Sequence, residues 1–516
     1  MWVLIGALLI AATTVGCGRA TSKPGSAPGS GSVPQGGSTQ KPGPAPTRPN
    51  IVFVLTDDLA DNLVTPEFMP NLWALEHDGA DFTHYFVTDS LCCPSRASIF
   101  TGRYPHDTGV FTNTGSDGGI NAFNAHGDQS STVATDLERT GYRTAMMGKY
   151  LNRYEPKDPP APGWDEWDVT GNQGYSEFNF NLNENGRIVH YGGANAPTDN
   201  YLTDVLSERA DNFIKTSAEA HVRSPFFLEV ATYAPHSPYT PAPRYADLYP
   251  DLNYPRTPAY DRANVRPAGW LAHEPPLSAQ SNTLIEAAFR KRAQSVRSVD
   301  DMIGRLVATL KSTGVWANTY LVFSSDNGYH MGEHRLLPGK LTAFDTDINV
   351  PLIVVGPRVP HDKVVASFAE NIDLRPTFDA WAATMPNEAI DGRSLEPVLA
   401  EPTPPTDWPQ GALIEHRGPV GDPNDPDYPA LNSGNPTSYE ALRLEGALYV
   451  EYKDGEREWY NLVTDPYELR NTYGDLRPAF RQELHAELVL IEQCHDAPAC
   501  SDITLPRPIP ASGRRA

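Results

Sequence analysis

Asp57-Asp58 stands directly after the apolar run IVFVLT (51–56), and Asp326-Asn327-Gly328 directly after TYLVFSS (319–325). Three carboxylates and an amide oxygen form a hard donor set, suited to Ca²⁺ or Mg²⁺ rather than zinc. Each pair alone also fits a turn or a helix cap, where Asp-Asp and Asp-Asn-Gly are common. Both pairs, at strand ends of one sheet, read as a single metal site. Between them lies Leu91-Cys92-Cys93-Pro94-Ser95-Arg96-Ala97-Ser98. Pro-Ser-Arg-Ala-Ser looks like a helix start, whose positive end favours an anionic substrate. Arg96 falls one turn from Cys92. His236 is held between prolines in Ala234-Pro235-His236-Ser237-Pro238, which suits a rigid catalytic placement. Lys149 and Lys340 each follow a glycine, which lets the backbone approach closely. His330 and His334, near the second carboxylate segment, read as pocket lining without an assigned role.

These residues need a frame that brings distant segments together. IVFVLT, FFLEVATY (226–233), TYLVFSS and VPLIVVGP (350–357) are continuous apolar runs rich in β-branched residues, as buried parallel strands are. TAMMGK (144–149) is a shorter one ending on Lys149. Helical stretches separate them, notably 283–311. Phe289–Lys311 reads as a packed structural helix with solvated charges. Alternating strands and helices predict an α/β fold, a mostly parallel sheet with helices on both faces. Ligands of such sheets bind beyond the C-terminal strand ends, where Asp57, Asp58, His236, Asp326 and Asn327 all fall. From about 400 the texture changes to hairpins and a final helix near 478–493, predicting a smaller C-terminal antiparallel α+β domain. Residues 418–440, rich in Pro, Asp and Asn, read as a long loop.

The domain reading is therefore a signal peptide over 1–17, a linker over 18–47, a catalytic domain over 48–400, a C-terminal subdomain over 401–505 and a tail over 506–516. Residues 2–16 are too short for a comfortable membrane span, which needs roughly 20 apolar residues, but have the length of a signal-peptide core. Cys17 after Val15-Gly16 resembles a bacterial lipobox, which implies lipidation at Cys17 and a membrane tether; Thr14 and the absence of a preceding Lys or Arg depart from that pattern. The alternative is ordinary secretion with cleavage nearby. The Gly/Ser/Pro linker of about thirty residues spans about 30 Å root-mean-square. With 41 Lys+Arg against 64 Asp+Glu and a net charge of −23, the chain lacks the basic footprint of a nucleic-acid binder. Of five cysteines, Cys494 and Cys500 enclose a short segment and read as a small disulfide loop in an exported chain. Such a loop stabilises by on the order of 2 kcal/mol.

Cys92-Cys93-Pro94-Ser95-Arg96, closed by Thr101-Gly102-Arg103, resembles the signature of the formylglycine-dependent sulfatase family. Asp57-Asp58 and Asp326-Asn327 match that family's metal ligands. Gly148-Lys149-Tyr150-Leu151-Asn152 resembles its second signature, Ala234–Pro238 its histidine segment, and Gly339-Lys340 its second lysine segment. The match covers roughly residues 50–475 in order. The resemblance implies an alkaline-phosphatase-like fold, maturation of Cys92 to formylglycine by a formylglycine-generating enzyme, and a Ca²⁺ or Mg²⁺ held by Asp57, Asp58, Cys92, Asp326 and Asn327. It also implies catalytic roles for Cys92, Arg96, Lys149, His236 and Lys340. The chain departs at Leu151, where many members carry His, and no base for the elimination step is assigned.

Several segments are similar to the N-acetylglucosamine-6-sulfatase branch and its extracellular heparan-endosulfatase relatives, among them Phe289-Arg290-Lys291-Arg292 and Asp326–His330. This implies a sulfated carbohydrate as substrate, N-acetylglucosamine 6-sulfate foremost. The polar insert Arg153–Asn200, with Asn172, Gln173, Asn179, Asn181 and Asn183, is expected to supply hydrogen bonds to such a sugar. Two alternatives stand beside this reading: a phosphodiesterase or phosphonate monoester hydrolase of the same superfamily, and an inactive glycan-binding surface lipoprotein.

Overall fold

The computed structural model describes residues 48–192, 200–220, 224–401 and 403–501. The expected signal peptide, Cys17, the linker and the 506–516 tail lie outside the described residues. No helix among the described residues is long and apolar enough to cross a membrane.

Ten strands form the main sheet. Its centre holds Thr319–Ser325, Asn50–Thr56, Phe226–Ala231, Arg143–Lys149 and Glu166–Thr170, side by side and all parallel. Their apolar runs are explained by burial on both faces. Along Asn50–Thr56, Ile51, Phe53 and Leu55 enter one core, while Val52 and Val54 enter the other. The first core receives the helices Cys92–Thr101, Val133–Arg139 and Leu374–Trp381. The second receives Pro70–His77, Leu202–Ala220 and Ala279–Ser312. The α/β sheet with helices on both faces, expected from the alternation of elements, is present.

The sheet's flanks are less regular than the apolar pattern suggests. Leu352–Val355 pairs antiparallel with Thr319–Ser325, and Ala80–Phe82 and Lys363–Val365 continue that edge. At the other edge Phe180–Glu184 and Arg187–Tyr191 form an antiparallel hairpin. The Asn-rich insert becomes this edge. Asn183 donates to Tyr154 Oη and the Asp158 carbonyl at 2.9 Å each, and Asn181 donates to Gln173 Oε1 at 3.0 Å.

A second, four-stranded antiparallel sheet comprises Gly411–His416, Tyr439–Leu444, Ala447–Tyr452 and Arg457–Asn461. One face, with Ile414, Tyr439 and Val450, joins the first core. The other, with Leu413, Leu442 and Trp459, packs on the Pro478–Ile491 helix. Cys494 and Cys500 form a disulfide, as their spacing suggests. The shared core fixes this sheet against the larger one, so its loops have a defined place beside the strand ends.

Candidate active site

Asp57 and Asp58 follow the first strand, Asp326 and Asn327 follow Thr319–Ser325, and Lys149 is the last residue of its own strand. All five are buried, as are Cys92, Arg96, His236 and Lys340. The fold brings every one of these sequence-predicted residues into one constellation. Asp58 has a φ of +63°, a left-handed conformation that turns the chain back at the strand end.

Cys92 opens the Cys92–Thr101 helix, two residues earlier than the Pro-Ser-Arg segment suggested. Its sulfur lies 3.2 Å from Asp57 Oδ1, 3.5 Å from Asn327 Oδ1 and 2.9 Å from Lys340 Nζ. Burial, reinforced by the carboxylates of Asp326, Asp427 and Asp57, pushes the Cys92 thiol well above its ordinary range. The unmodified side chain is therefore a protonated thiol and a poor nucleophile at neutral pH. Cys93 turns into the first core, and its backbone N–H donates to Asn113 Oδ1 at 3.0 Å.

Around the sulfur, charges are tightly paired. Lys149 Nζ lies 2.6 Å from Asp57 Oδ2, and Lys340 Nζ lies 2.6 Å from Asp58 Oδ1. Asn327 Nδ2 donates to the same Asp58 oxygen at 2.7 Å. Arg96 donates through Nε to Asp326 Oδ2 at 2.7 Å and through Nη1 to the Lys149 carbonyl at 2.9 Å. Arg96 thus locks the Asp326 strand end to the Lys149 strand end. Burial raises the Asp326 pKa, but Arg96, Lys149 and Lys340 outweigh it and hold the carboxyl down at about 2.

His236 Nδ1 donates to the Ser237 carbonyl at 2.6 Å, and Nε2 lies 2.6 Å from Asp427 Oδ1 and 3.5 Å from Asp58 Oδ2. Burial disfavours the imidazolium, yet Asp58, Asp57 and Asp427 carry its pKa up to about 9. The ring is therefore a proton donor at neutral pH, the state a general acid needs.

Two contributors were not singled out in the sequence. Asp427 reaches in from the 418–440 loop and bonds Lys340 Nζ at 2.7 Å, while Asn113 Nδ2 donates to its Oδ2 at 2.6 Å. Arg292 departs from the solvated-helix expectation. It is buried and donates through Nη2 to the Asp58 carbonyl at 2.5 Å and through Nη1 to the Pro235 carbonyl at 3.3 Å. Its guanidinium also lies 4.3 Å from the Tyr329 ring centroid. The FRKR segment was noted only as a branch resemblance, and its spacing does not distinguish this inward arginine.

Other expectations are corrected. His330 and His334 do not line the cleft. His330 bonds Asp347 at 2.9 Å and the Ser433 carbonyl at 3.1 Å, and His334 stacks on Phe344 at 3.8 Å with its pKa pushed down by burial to about 3. The Asn-rich insert places none of its named amides along the cleft. The insert instead packs Tyr175 against the constellation, its ring 4.5 Å from that of His236 and 5.0 Å from Lys149 Nζ. Leu151 is packed in the first core.

The constellation floors a cleft of about 490 Å³, which Asp58, His236, Lys340 and Asp427 share with Tyr239, Tyr329 and a stripe of the Ala279–Ser312 helix. Oxygen donors from two strand ends, beside a buried sulfur, fit a hard divalent cation by their chemistry. Ligand atoms of Asp57, Asp58, Cys92 and His236 lie within 4.8 Å of one another. Of these His236 is already engaged by Asp427, and the all-oxygen set better matches a hard ion.

A parallel sheet whose strand ends present acids, amide and lysines to a helix N-terminus belongs to the alkaline-phosphatase-like class. The chain belongs to the sulfatase family, whose model matches residues 49–384, and it is a sulfuric ester hydrolase. It is 33% identical over 484 residues to human N-acetylglucosamine-6-sulfatase, covering 88% of this chain and 86% of that one. It is 35% identical over 376 residues to the Drosophila melanogaster extracellular sulfatase SULF-1 homolog, covering 72% of this chain and 33% of that longer protein. In fold it is similar to a solved structure in complex with its substrate D-glucosamine-2-N,6-O-disulfate, with a TM-score of 0.69, 22% identity and coverage of 87% and 97%. The phosphonate monoester hydrolase of Agrobacterium radiobacter shares the fold too, with a TM-score of 0.65, 22% identity and coverage of 86% and 95%.

Proposed function

We propose that this sulfatase removes sulfate from a sulfated sugar, 6-sulfated N-acetylglucosamine foremost, with Cys92 matured to formylglycine and a divalent cation held by Asp57, Asp58, Asp326 and Asn327. The observation that carries the reading is the position of Cys92: its sulfur touches Asp57, Asn327 and Lys340 at the mouth of a helix. Ca²⁺ suits the all-oxygen donors, and Mg²⁺ is the alternative. When present, the cation neutralises the carboxylates and polarises sulfate oxygens, and hydrated formylglycine supplies the attacking hydroxyl.

The chain's own residues do the rest. Arg96 fixes the Asp326 carboxylate and keeps it ionised, the form that a cation would bind. Lys149 and Lys340 neutralise charge on the sulfate oxygens, an electrostatic contribution that usually dominates such steps. His236 gives its Nε2 proton to the departing sugar oxygen, a transfer for which the Nε2 bond to Asp427 must open while Nδ1 stays on the Ser237 carbonyl. Tyr175 and Tyr233 flank Lys149 at 5.0 and 5.8 Å and exclude water from its back.

Support for the sugar comes from the relatives: at 33% identity over most of both chains, the human relative is named for N-acetylglucosamine 6-sulfate. The relatives named extracellular support export, and lipid tethering at Cys17 rests on the lipobox-like sequence. The division into 48–400 and 401–505 follows the change from parallel α/β to antiparallel texture. The test is a comparison of kcat/KM for glucosamine 6-sulfate, galactose 6-sulfate, iduronate 2-sulfate, an aryl sulfate and an aryl phosphodiester. A preference for the glucosamine ester of about 100-fold, roughly 2–3 kcal/mol of transition-state discrimination, is expected. Equal rates across the sugars, or a preference for the phosphodiester, defeats it.

A further inference from the structure

We propose that Lys291 forms an anion subsite in the cleft wall, binding a second anionic group that the substrate carries beside its ester sulfate. The proposal rests on the sugar-sulfatase reading and names a finer class within it: sugars bearing a second carboxylate, sulfate or sulfamate.

The Ala279–Ser312 helix lends the cleft Leu284, Ala287, Ala288 and Lys291, a stripe at spacings of three, four and seven residues. The two alanines leave room for a ring against the helix. At the outer end Leu284 is half exposed, and at the inner end Lys291 precedes Arg292, whose guanidinium reaches the Asp58 carbonyl. Lys291 thus lines the cleft from the helix side, apart from Lys149 and Lys340, which are buried in the constellation beneath it.

An exposed lysine on an amphipathic helix is ordinarily a solvated charge. Lys291 has no hydrogen bond or ion pair among the described residues; of its helix's cations only Lys311 shares this, and Lys311 lies over the Trp316 ring at 5.2 Å and does not line the cleft. Arg290 donates to the Leu252 carbonyl, Arg292 to Asp58 and Pro235, Arg297 to the Phe68 carbonyl, and Arg305 to Asp211. Of the two lysines that line the cleft, Lys340 is paired with Asp58 and Asp427, whereas Lys291 has no carboxylate partner among the described residues. A cleft concentrates the field of such a charge on a ligand. The same anion chemistry can sit on the sulfated ring itself, as a sulfamate, or on the next sugar, as a uronate carboxylate.

The matured, metal-loaded enzyme and its Lys291→Ala and Lys291→Glu variants are compared on four substrates. These are N-acetylglucosamine 6-sulfate, N-sulfoglucosamine 6-sulfate, a uronate-linked disaccharide with a 6-sulfated glucosamine, and an aryl sulfate. Wild type is expected to favour one dianionic sugar through KM. Lys291→Ala raises that KM roughly five- to tenfold, the size of one typical net hydrogen bond at a solvent-exposed side chain, and Lys291→Glu raises it further. The two single-anion substrates stay within about twofold in both variants. The dianionic sugar that responds distinguishes sulfamate from carboxylate. Equal changes on all substrates, or no change on either dianionic sugar, overturn the subsite while the sulfatase reading stands. Turnover of the aryl ester alone overturns the sugar reading and the subsite with it.

Discussion

His236 Nε2 and Asp427 Oδ1 lie 2.6 Å apart, although 191 residues separate them in sequence. The pairing brings a loop between two strands of the small C-terminal sheet into the cleft of the large one. Asp427 aims the His236 ring and adds to the charges of Asp58 and Asp57 that keep it protonated. Asp427→Ala is expected to lower kcat/KM about 100-fold, the low end of what a positioned general acid contributes, with Tm little changed. Asp427→Asn, which keeps the shape and loses the charge, should fall between. Wild-type kcat/KM in Asp427→Ala would remove this residue from the mechanism.

The parallel strand ends were legible because strands buried on both faces read as unbroken apolar runs, and polar residues right after them mark the ligand side. The direction of Leu352–Val355 was not legible, since an apolar run is the same for parallel and antiparallel neighbours. Asp427 was hidden for another reason. Asp422, Asp425 and Asp427 share one aperiodic loop, and only contact with Lys340 and His236 selects among them. His330 misled by sequence proximity: Asp347 and the Ser433 carbonyl occupy both of its nitrogens. The amides of Asn181 and Asn183 were polar enough for a sugar, but Gln173, Tyr154 and the Asp158 carbonyl consume them.

Cys92 and Cys93 are adjacent but face different surroundings. Cys92→Ala should abolish activity, because it removes the side chain that touches Asp57, Asn327 and Lys340 together. Cys93→Ala should retain activity and cost on the order of 1 kcal/mol in stability, as small core truncations do. Mass analysis of the tryptic peptide should place the formylglycine at Cys92. Modification at Cys93, or loss of activity only in Cys93→Ala, reverses the assignment.

Chelation should remove activity, and Ca²⁺ or Mg²⁺ should restore it better than Zn²⁺. Binding to the native state alone also stabilises it, so Ca²⁺ should raise Tm of the chelated protein. Asp57→Ala and Asp326→Ala should lose that rise as well as activity. An unchanged Tm response in both variants places the ion elsewhere.

His106 gives a pH dependence remote from the active site. Its Nδ1 lies 2.9 Å from Glu415 Oε2 and its Nε2 2.8 Å from the Cys494 carbonyl. Both partners are acceptors, so both nitrogens donate and the ring is an imidazolium. Burial opposes this, but the Glu415 bond and charge, the Cys494 carbonyl and Asp107 lift its pKa to about 9. A raised pKa contributes stability that is complete below the unfolded value near 6.5 and lost as pH rises through about 9. Against His106→Gln, wild type should be more stable at pH 6, with the gap closing between pH 7 and 10. A gap constant with pH would mean that the ring packs there without its charge.

Arg292 offers the sharpest separation between holding the site together and holding the fold together. Its guanidinium bridges the carbonyls of Asp58 and Pro235, so one side chain fixes both the carboxylate turn and the His236 turn. Arg292→Met fills similar space and leaves both buried carbonyls without that donor, at about 1–3 kcal/mol for each. Arg292→Lys keeps a charge but lacks the planar fork that serves two acceptors at once. If Arg292 acts through these turns, Arg292→Met should weaken Ca²⁺ binding, read from the Tm rise against Ca²⁺ concentration, and lower kcat about tenfold or more, with Arg292→Lys intermediate. A residue important only for the fold would lower Tm in the ion-free protein while leaving Ca²⁺ affinity and kcat of the folded fraction unchanged. That second pattern would leave the turns to be held by the Ala279–Ser312 helix packing alone.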